Sequence, residues 1–227
     1  MSYTFQFGLT GEDWAFLLNG ALRTLLYSFA GMVVGLAIGI VCATWRNSRS
    51  RIMRGAAGTY VEFIRNTPLL IQIFIVYFGL SSLGLKLSAE VSAVLALTIN
   101  MGAYTTEIMR AGIESVQRTQ LEAADCLGLT RLQTMLHVVL LPAMERVYPS
   151  LASQGVLLML ASSITSQISA EELTATANLV QSDTYRSFEV YVIVAVVYLA
   201  LSALYRLGFW VISLILFERR RRLGTPL

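Results

Sequence analysis

Residues Thr24 to Trp45 read TLLYSFAGMVVGLAIGIVCATW, a stretch without one charged side chain. A membrane helix needs roughly 20 mostly apolar residues to cross a hydrocarbon layer of about 30 Å, and this stretch meets that length by itself. Outward from it, Asn66 to Leu85 and Val147 to Ala170 are also free of charge. Val91 to Thr106 is shorter, and Val190 to Phe217 is long but carries Arg206; both read as spans. The expected fold is all-α, one polytopic membrane domain over residues 1–227. Five transmembrane helices are expected, at about 20–45, 60–85, 89–111, 147–170 and 190–217.

Composition agrees. Of 227 residues, 56% are hydrophobic and 14% charged, against roughly 25% charged in an average soluble domain. Mean hydropathy is +0.64. Those values exclude a disordered chain, and so small a chain has too little interior to hide this much apolar surface from water.

The charges set orientation. Met1 to Asn19 holds Glu12 and Asp13 but no Lys or Arg, so it lacks the basic region of a cleaved signal peptide, and the first helix reads as an anchor. Arg46, Arg49, Arg51 and Arg54 follow span one, and Lys86 alone follows span two. Arg110, Arg118, Arg131 and Arg146 follow span three, Arg186 follows span four, and Arg219 to Arg222 close the chain. Basic connections lie in the cytoplasm, which puts the N-terminus outside and the C-terminus inside. The pI of about 9.0 is therefore a topology signal. The terminal arginines read as a stop-transfer flank attracted to membrane lipid, with no nucleic acid as partner.

Several chemistries are excluded. Cys42 and Cys126 both fall on the reducing side, where disulfides do not persist. His137 is the one histidine and has no cluster of metal ligands around it in sequence. Lys86 is the one lysine and lies in no phosphate-binding loop, so ATP chemistry has to reside on a partner. No nucleophile, base and orienting group fall at a catalytic spacing. Half of an ion-coupled secondary transporter is the rival reading; it needs acids in mid-span, and none of the fourteen clearly lies there. Gly31, Gly35 and Gly39 share one face of span one, a surface for close helix packing within this chain or against another.

The connection from residue 114 to 142 is too polar to span. Gln120 to Gly128 reads as a short helix stopped by a left-handed glycine. A second helical stretch, Arg131 to Leu140, is expected to close at Pro142. Together they make either a cytoplasmic knob for a soluble partner or an ordinary amphipathic loop, and periodicity leaves both open.

Here the residues resemble a family. Glu122-Ala123-Ala124, then Gly128, then Leu140-Leu141-Pro142 looks like the EAA loop of bacterial ABC importer permeases. Glu62-Phe63-Ile64-Arg65-Asn66-Thr67-Pro68-Leu69-Leu70-Ile71-Gln72 is similar to the stretch entering span two of the polar amino-acid (histidine/glutamine-type) branch. Asn100-Met101-Gly102-Ala103-Tyr104, Glu107-Ile108 and Arg110-Ala111-Gly112-Ile113 resemble a second motif of that branch, and Gly20, Thr24, Gly35 and Gly39 match its first span. The likeness covers about residues 17 to 205.

The resemblance implies a permease subunit of an importer in the bacterial cytoplasmic (inner) membrane, moving a polar amino acid or derivative. Its implied partners are an ATPase subunit dimer, a substrate-binding protein and a second permease chain. It implies no cofactor on this chain, with ATP and Mg on the ATPase, and no catalytic residue. Glu122, Ala123, Ala124 and Gly128 are the candidates for coupling to the ATPase. Glu62 with Arg65 and Glu107 with Arg110 are i,i+3 pairs at the cytoplasmic ends of spans two and three, either helix-end anchors or an inner gate. Ser162, Ser163, Thr165 and Gln167 in span four, with Gln72, Asn100 and Tyr104, are candidates for the substrate pathway; Ser153, Gln154, Asn66 and Thr67 lie nearby in sequence.

The chain departs from the branch in three places. Gln117-Arg118-Thr119-Gln120 replaces the usual residues before EAA, and the interval from Gly128 to Pro142 is one residue longer, which predicts a bulge in the second helix. Leu160-Ala161 stands where relatives carry a Lys-Asp pair. Either the substrate is not recognised through a cation at this position, or the second permease chain of a heterodimer carries the charge; the departure favours a heterodimer over a homodimer. Arg206 leaves two readings: a span that continues past it, or one that ends there with Leu207 to Phe217 in the interface.

Overall fold

The computed structural model describes residues 8–217; the first residues and the Arg219 to Arg222 tail lie outside the described residues. Every regular element among the described residues is helical. In chain order they are α1 Gly11–Arg46, α2 Arg51–Arg65, α3 Leu69–Ser82 and α4 Ala89–Glu114. There follow α5 Arg118–Cys126, α6 Arg131–Ile168, α7 Leu173–Thr184 and α8 Ser187–Leu216.

Three helices, α1, α6 and α8, are long and apolar enough to cross a membrane, and the pair α2 and α3 makes a fourth if it crosses as one bent unit. The third expected span, α4, has 26 residues but carries too much polar and charged character to join that set. It tolerates this because it is the central helix, with Ser92, Thr98, Asn100, Thr105 and Thr106 all buried against protein. Leu22, Leu199 and Ile215 instead stand 67%, 71% and 73% exposed on the outside of the bundle. Large apolar groups outside and small or polar groups inside is the arrangement a lipid solvent favours.

The glycine face of α1 packs within the chain, against α4. A Cβ on Gly31 would meet Leu97 at 3.0 Å, and one on Gly35 would meet the Met101 side chain at 2.6 Å. A Cβ on Gly39 would collide with Thr105. Three glycines at helical spacing let the two backbones approach, and α1 and α4 form the most extensive contact in the molecule.

Two sequence expectations change here. The expected span over residues 60–85 is not one straight helix, since α2 and α3 meet at 110°. Pro68 has no N–H to donate and disfavours helical backbone at Thr67, so the helix has to end there. Second, Arg131 to Leu140 is no separate helix closed by Pro142: it runs directly into the long helix α6, with wide π-helical turns over Thr134–Leu140 and Pro142 in the turn that follows. A π-bulge absorbs one extra residue without breaking a helix, and it lies in the interval from Gly128 to Pro142 expected to be one residue longer than usual. The stretch after span four is itself helical. It folds as α7 back against α1 and α8, burying Leu173, Thr176, Ala177 and Val180.

That fold-back buries Glu172, fully excluded from solvent although it lies between two expected spans and within neither. Its carboxylate caps α7 by accepting from the Ala175 N–H at 2.9 Å, and it also accepts from the Tyr198 hydroxyl at 2.8 Å and the Thr24 hydroxyl at 3.4 Å. Thr24 accepts in turn from the Leu173 N–H at 3.1 Å. The acid is met by donors on three helices and pins α7 to α1 and α8. Finally, α8 runs unbroken past Arg206 to Leu216, so the helix does not stop at that arginine. Ten further residues put Arg206 about 15 Å from the helix end, beside a groove that includes Pro149, Ser153 and Phe209.

Candidate functional site

The 110° bend creates a cavity of about 540 Å³ between α2, α3, α4 and α6. Arg65, Asn66, Thr67, Asn100, Tyr104 and Gln154 are its polar lining, with Leu157, Leu158 and Ile164 among its apolar wall. Asn100 and Tyr104 share a face because they are four residues apart on α4.

Gln72 is the keystone of the bend. Its amide nitrogen donates to the Ile64 carbonyl at 2.7 Å and the Thr67 carbonyl at 2.9 Å, two acceptors at the interrupted end of the helix. Its amide oxygen accepts from Asn100 Nδ2 at 3.0 Å. Tyr60 adds a second tie, its hydroxyl donating to the Ile99 carbonyl at 2.6 Å.

Below the cavity lies an ion cluster. Glu107 accepts from Arg110 Nη2 at 2.8 Å and from Arg46 Nη2 at 3.4 Å, and Arg65 Nη1 stands 3.9 Å away. Arg110 also bonds Glu114 at 2.7 Å. The i,i+3 contact of Glu107 with Arg110 forms. That of Glu62 with Arg65 does not: Glu62 accepts from Asn66 Nδ2 at 3.1 Å, while Arg65 turns to Glu107 and stacks over the Tyr104 ring at 5.4 Å. The cluster joins the C-terminal ends of α1, α2 and α4, a connection no local spacing reveals.

The hydroxyls of span four do not gather in the cavity. Ser162, Ser163 and Thr165 donate to the Met159, Leu160 and Ser162 carbonyls at 2.6, 2.8 and 2.7 Å. Such back-bonding is how a hydroxyl in a membrane helix satisfies itself. Gln167 is exposed beyond them. Of the pathway candidates, Asn100 and Tyr104 line the cavity and Gln72 stands behind Asn100. Gln154 and Arg65 complete the lining, and the uncharged span-four pattern held no signal that would have ranked Gln154 above its neighbours.

Beyond α4, α5 carries Glu122 and Ala123 exposed and Ala124 buried. Gly128 ends it with φ +70°, its N–H donating to the Asp125 carbonyl at 3.0 Å and the Leu129 N–H to the Ala124 carbonyl at 3.1 Å. That pair of bonds is a Schellman closure, which needs a left-handed residue and so favours glycine. A groove of about 370 Å³ between α5 and the start of α6 is lined by Ala123, Ala124, Leu127 and His137, among others. Arg146 ties α6 to the end of α4 by donating to the Ser115 carbonyl at 2.6 Å. The knob is thus held from both sides. Among the described residues no cluster of His, Cys, Asp and Glu is placed to hold a metal.

Residues 35–215 match the family described as binding-protein-dependent transport system inner membrane component. The chain belongs to that family. It is a permease subunit of an amino-acid ABC importer, a multi-pass protein of the inner membrane, and is not itself the ATPase. This permease is 38% identical over 191 residues to the probable glutamine ABC transporter permease of Bacillus subtilis (strain 168), covering 84% of this chain and 88% of that one. It is 34% identical over 198 residues to the nopaline transport system permease of Agrobacterium fabrum, covering 83% and 82%. Among solved structures, an amino-acid ABC transporter with histidines superposes with a TM-score of 0.84 at 33% identity, covering 93% of the permease and 99% of that chain. An inward-facing methionine ABC transporter shares the fold, with a TM-score of 0.76 at 17% identity. Family membership removes the ion-coupled alternative and places the permease in a complex with ATPase subunits.

Proposed function

We propose that this permease passes a polar amino acid or a derivative of one through the cavity lined by Asn100, Tyr104 and Gln154, after delivery by a substrate-binding protein outside. In this reading the chain crosses the membrane five times with the N-terminus outside, α2 and α3 together making the second crossing. ATP and Mg act on an ATPase dimer beneath α5, where Glu122, Ala123 and Ala124 touch the ATPase and Gly128 sets the turn. The Glu107 cluster is the inner gate. A second, non-identical permease chain completes the pathway.

The observation that carries the reading is the continuity of the cavity with both ends of the machine. Gln72 joins the cavity to the bend, the Glu107 cluster lies one turn below Tyr104, and Arg146 fixes the knob to the same helix α4. A bound ligand or a moving ATPase therefore acts on one rigid element, and differential contacts in two states are what coupling requires. The test is co-purification of the detergent-solubilised chain with proteins encoded beside it, followed by ATP hydrolysis in vesicles across the amino acids. Recovery of an ATPase stimulated by one amino acid through its binding protein is expected. Transport of an amino acid by this chain with no ATPase present would overturn it.

A further inference from the structure

We propose that Arg65 is the carboxylate-binding residue of the cavity, and that it makes the permease select ligands with a free α-carboxylate and no cationic side chain. The inference rests on the reading of the cavity as the ligand pathway.

Arg65 ends α2, immediately before the bend, and its guanidinium lines the cavity while stacking over Tyr104. Its nearest anion is Glu107, at 3.9 Å, too far for a hydrogen bond. That carboxylate is already taken. Arg110 reaches it with Nε at 3.2 Å to each oxygen and Nη2 at 2.8 Å, and Arg46 reaches it at 3.4 Å. Around the cluster stand three guanidinium groups, Arg46, Arg65 and Arg110, and two carboxylates, Glu107 and Glu114. One positive charge is in excess, and Arg65 is the member that opens on the cavity. A guanidinium offers a planar fork of donors that matches a carboxylate.

The opposite pole of an amino acid has a partner too. Because Gln72 spends its amide nitrogen on the Ile64 and Thr67 carbonyls, its oxygen faces Asn100 and must accept. Asn100 therefore donates with Nδ2 and keeps Oδ1 as its remaining acceptor, suited to an ammonium group. Asn100 lies one helical turn from Tyr104, over which Arg65 stacks, so acceptor and guanidinium line the same cavity. A zwitterion fits between them. A cationic side chain would add a further positive charge near three arginines, with no carboxylate lining the cavity to offset it.

The test uses the whole complex, this chain with its ATPase and companion permease, in nanodiscs without binding protein or nucleotide. Isothermal titration measures each of the twenty amino acids and its α-carboxamide. Every amino acid that binds is expected to lose at least tenfold in affinity on amidation, with arginine and lysine absent from the binders. Arg65→Gln is expected to abolish the preference for the free carboxylate, and Arg65→Lys to keep part of it. Equal binding of acid and amide to the unaltered complex overturns the assignment of Arg65 while the cavity reading stands, and needs no variant to fold. A preference that survives Arg65→Gln overturns it in the same way. No binding of any amino acid, in a complex that still transports with its binding protein, overturns the cavity reading and this proposal together.

Discussion

The Tyr198 hydroxyl donates to the Glu172 carboxylate at 2.8 Å, joining α8 to the first turn of α7 inside the bundle. Glu172 is fully buried and Tyr198 half-buried, and the bond adds to the apolar packing that holds α7 inward. Removing a donor from a buried charged acceptor costs about 1–3 kcal/mol. Tyr198→Phe is expected to lower the thermal unfolding midpoint of the detergent-solubilised protein and to expose α7 to proteolysis. An unchanged midpoint would show that the other Glu172 donors suffice.

At Gly35 the structure leaves no room for a side chain: a Cβ there would stand 2.9 Å from the Thr98 carbonyl as well as 2.6 Å from Met101 Cβ. Gly35→Val is expected to push α1 off α4 at a cost of about 1–3 kcal/mol, the usual penalty of overpacking. Gly55 and Gly208, which have nothing within 4 Å of an added Cβ, serve as controls. Yield of monodisperse protein after solubilisation distinguishes them.

Glu107 is the shared acceptor of the inner cluster, and its loss leaves three arginines facing one another. Glu107→Ala is expected to uncouple the transporter, lowering substrate moved per ATP hydrolysed in reconstituted vesicles several-fold. An unaltered ratio counts against a gate at this position.

Ala123 is exposed on α5 while Ala124 is buried against α6, so the two should respond differently. Ala123→Arg is expected to leave the chain's own thermal stability within about 0.5 kcal/mol, as surface changes do, and to abolish recovery of the ATPase in a pull-down. Ala124→Trp is expected to lower stability itself. Equal ATPase recovery from Ala123→Arg and the unaltered chain would move the docking surface elsewhere.

The sequence by itself determined what depends on local pattern. Uncharged runs of membrane-crossing length specified a helical membrane protein, three glycines at one spacing specified the close face of α1, and Gly128 specified the turn after α5. Asn100, Tyr104 and Gln72 were legible as polar groups in apolar runs. What only the tertiary structure decided depends on which groups meet across the bundle. The hydroxyls of Ser162, Ser163 and Thr165 look equally available in sequence, yet each is consumed by its own helix. Arg65 has Glu62 at ideal helical spacing but turns to Glu107, because the bend at Pro68 carries it toward α4. Glu172 finds Thr24, 148 residues away, only once α7 has folded inward. Periodicity and charge act over one or two turns and are written along the chain. The partner of a long polar side chain is set by helices brought together from distant segments, and no window of sequence contains both.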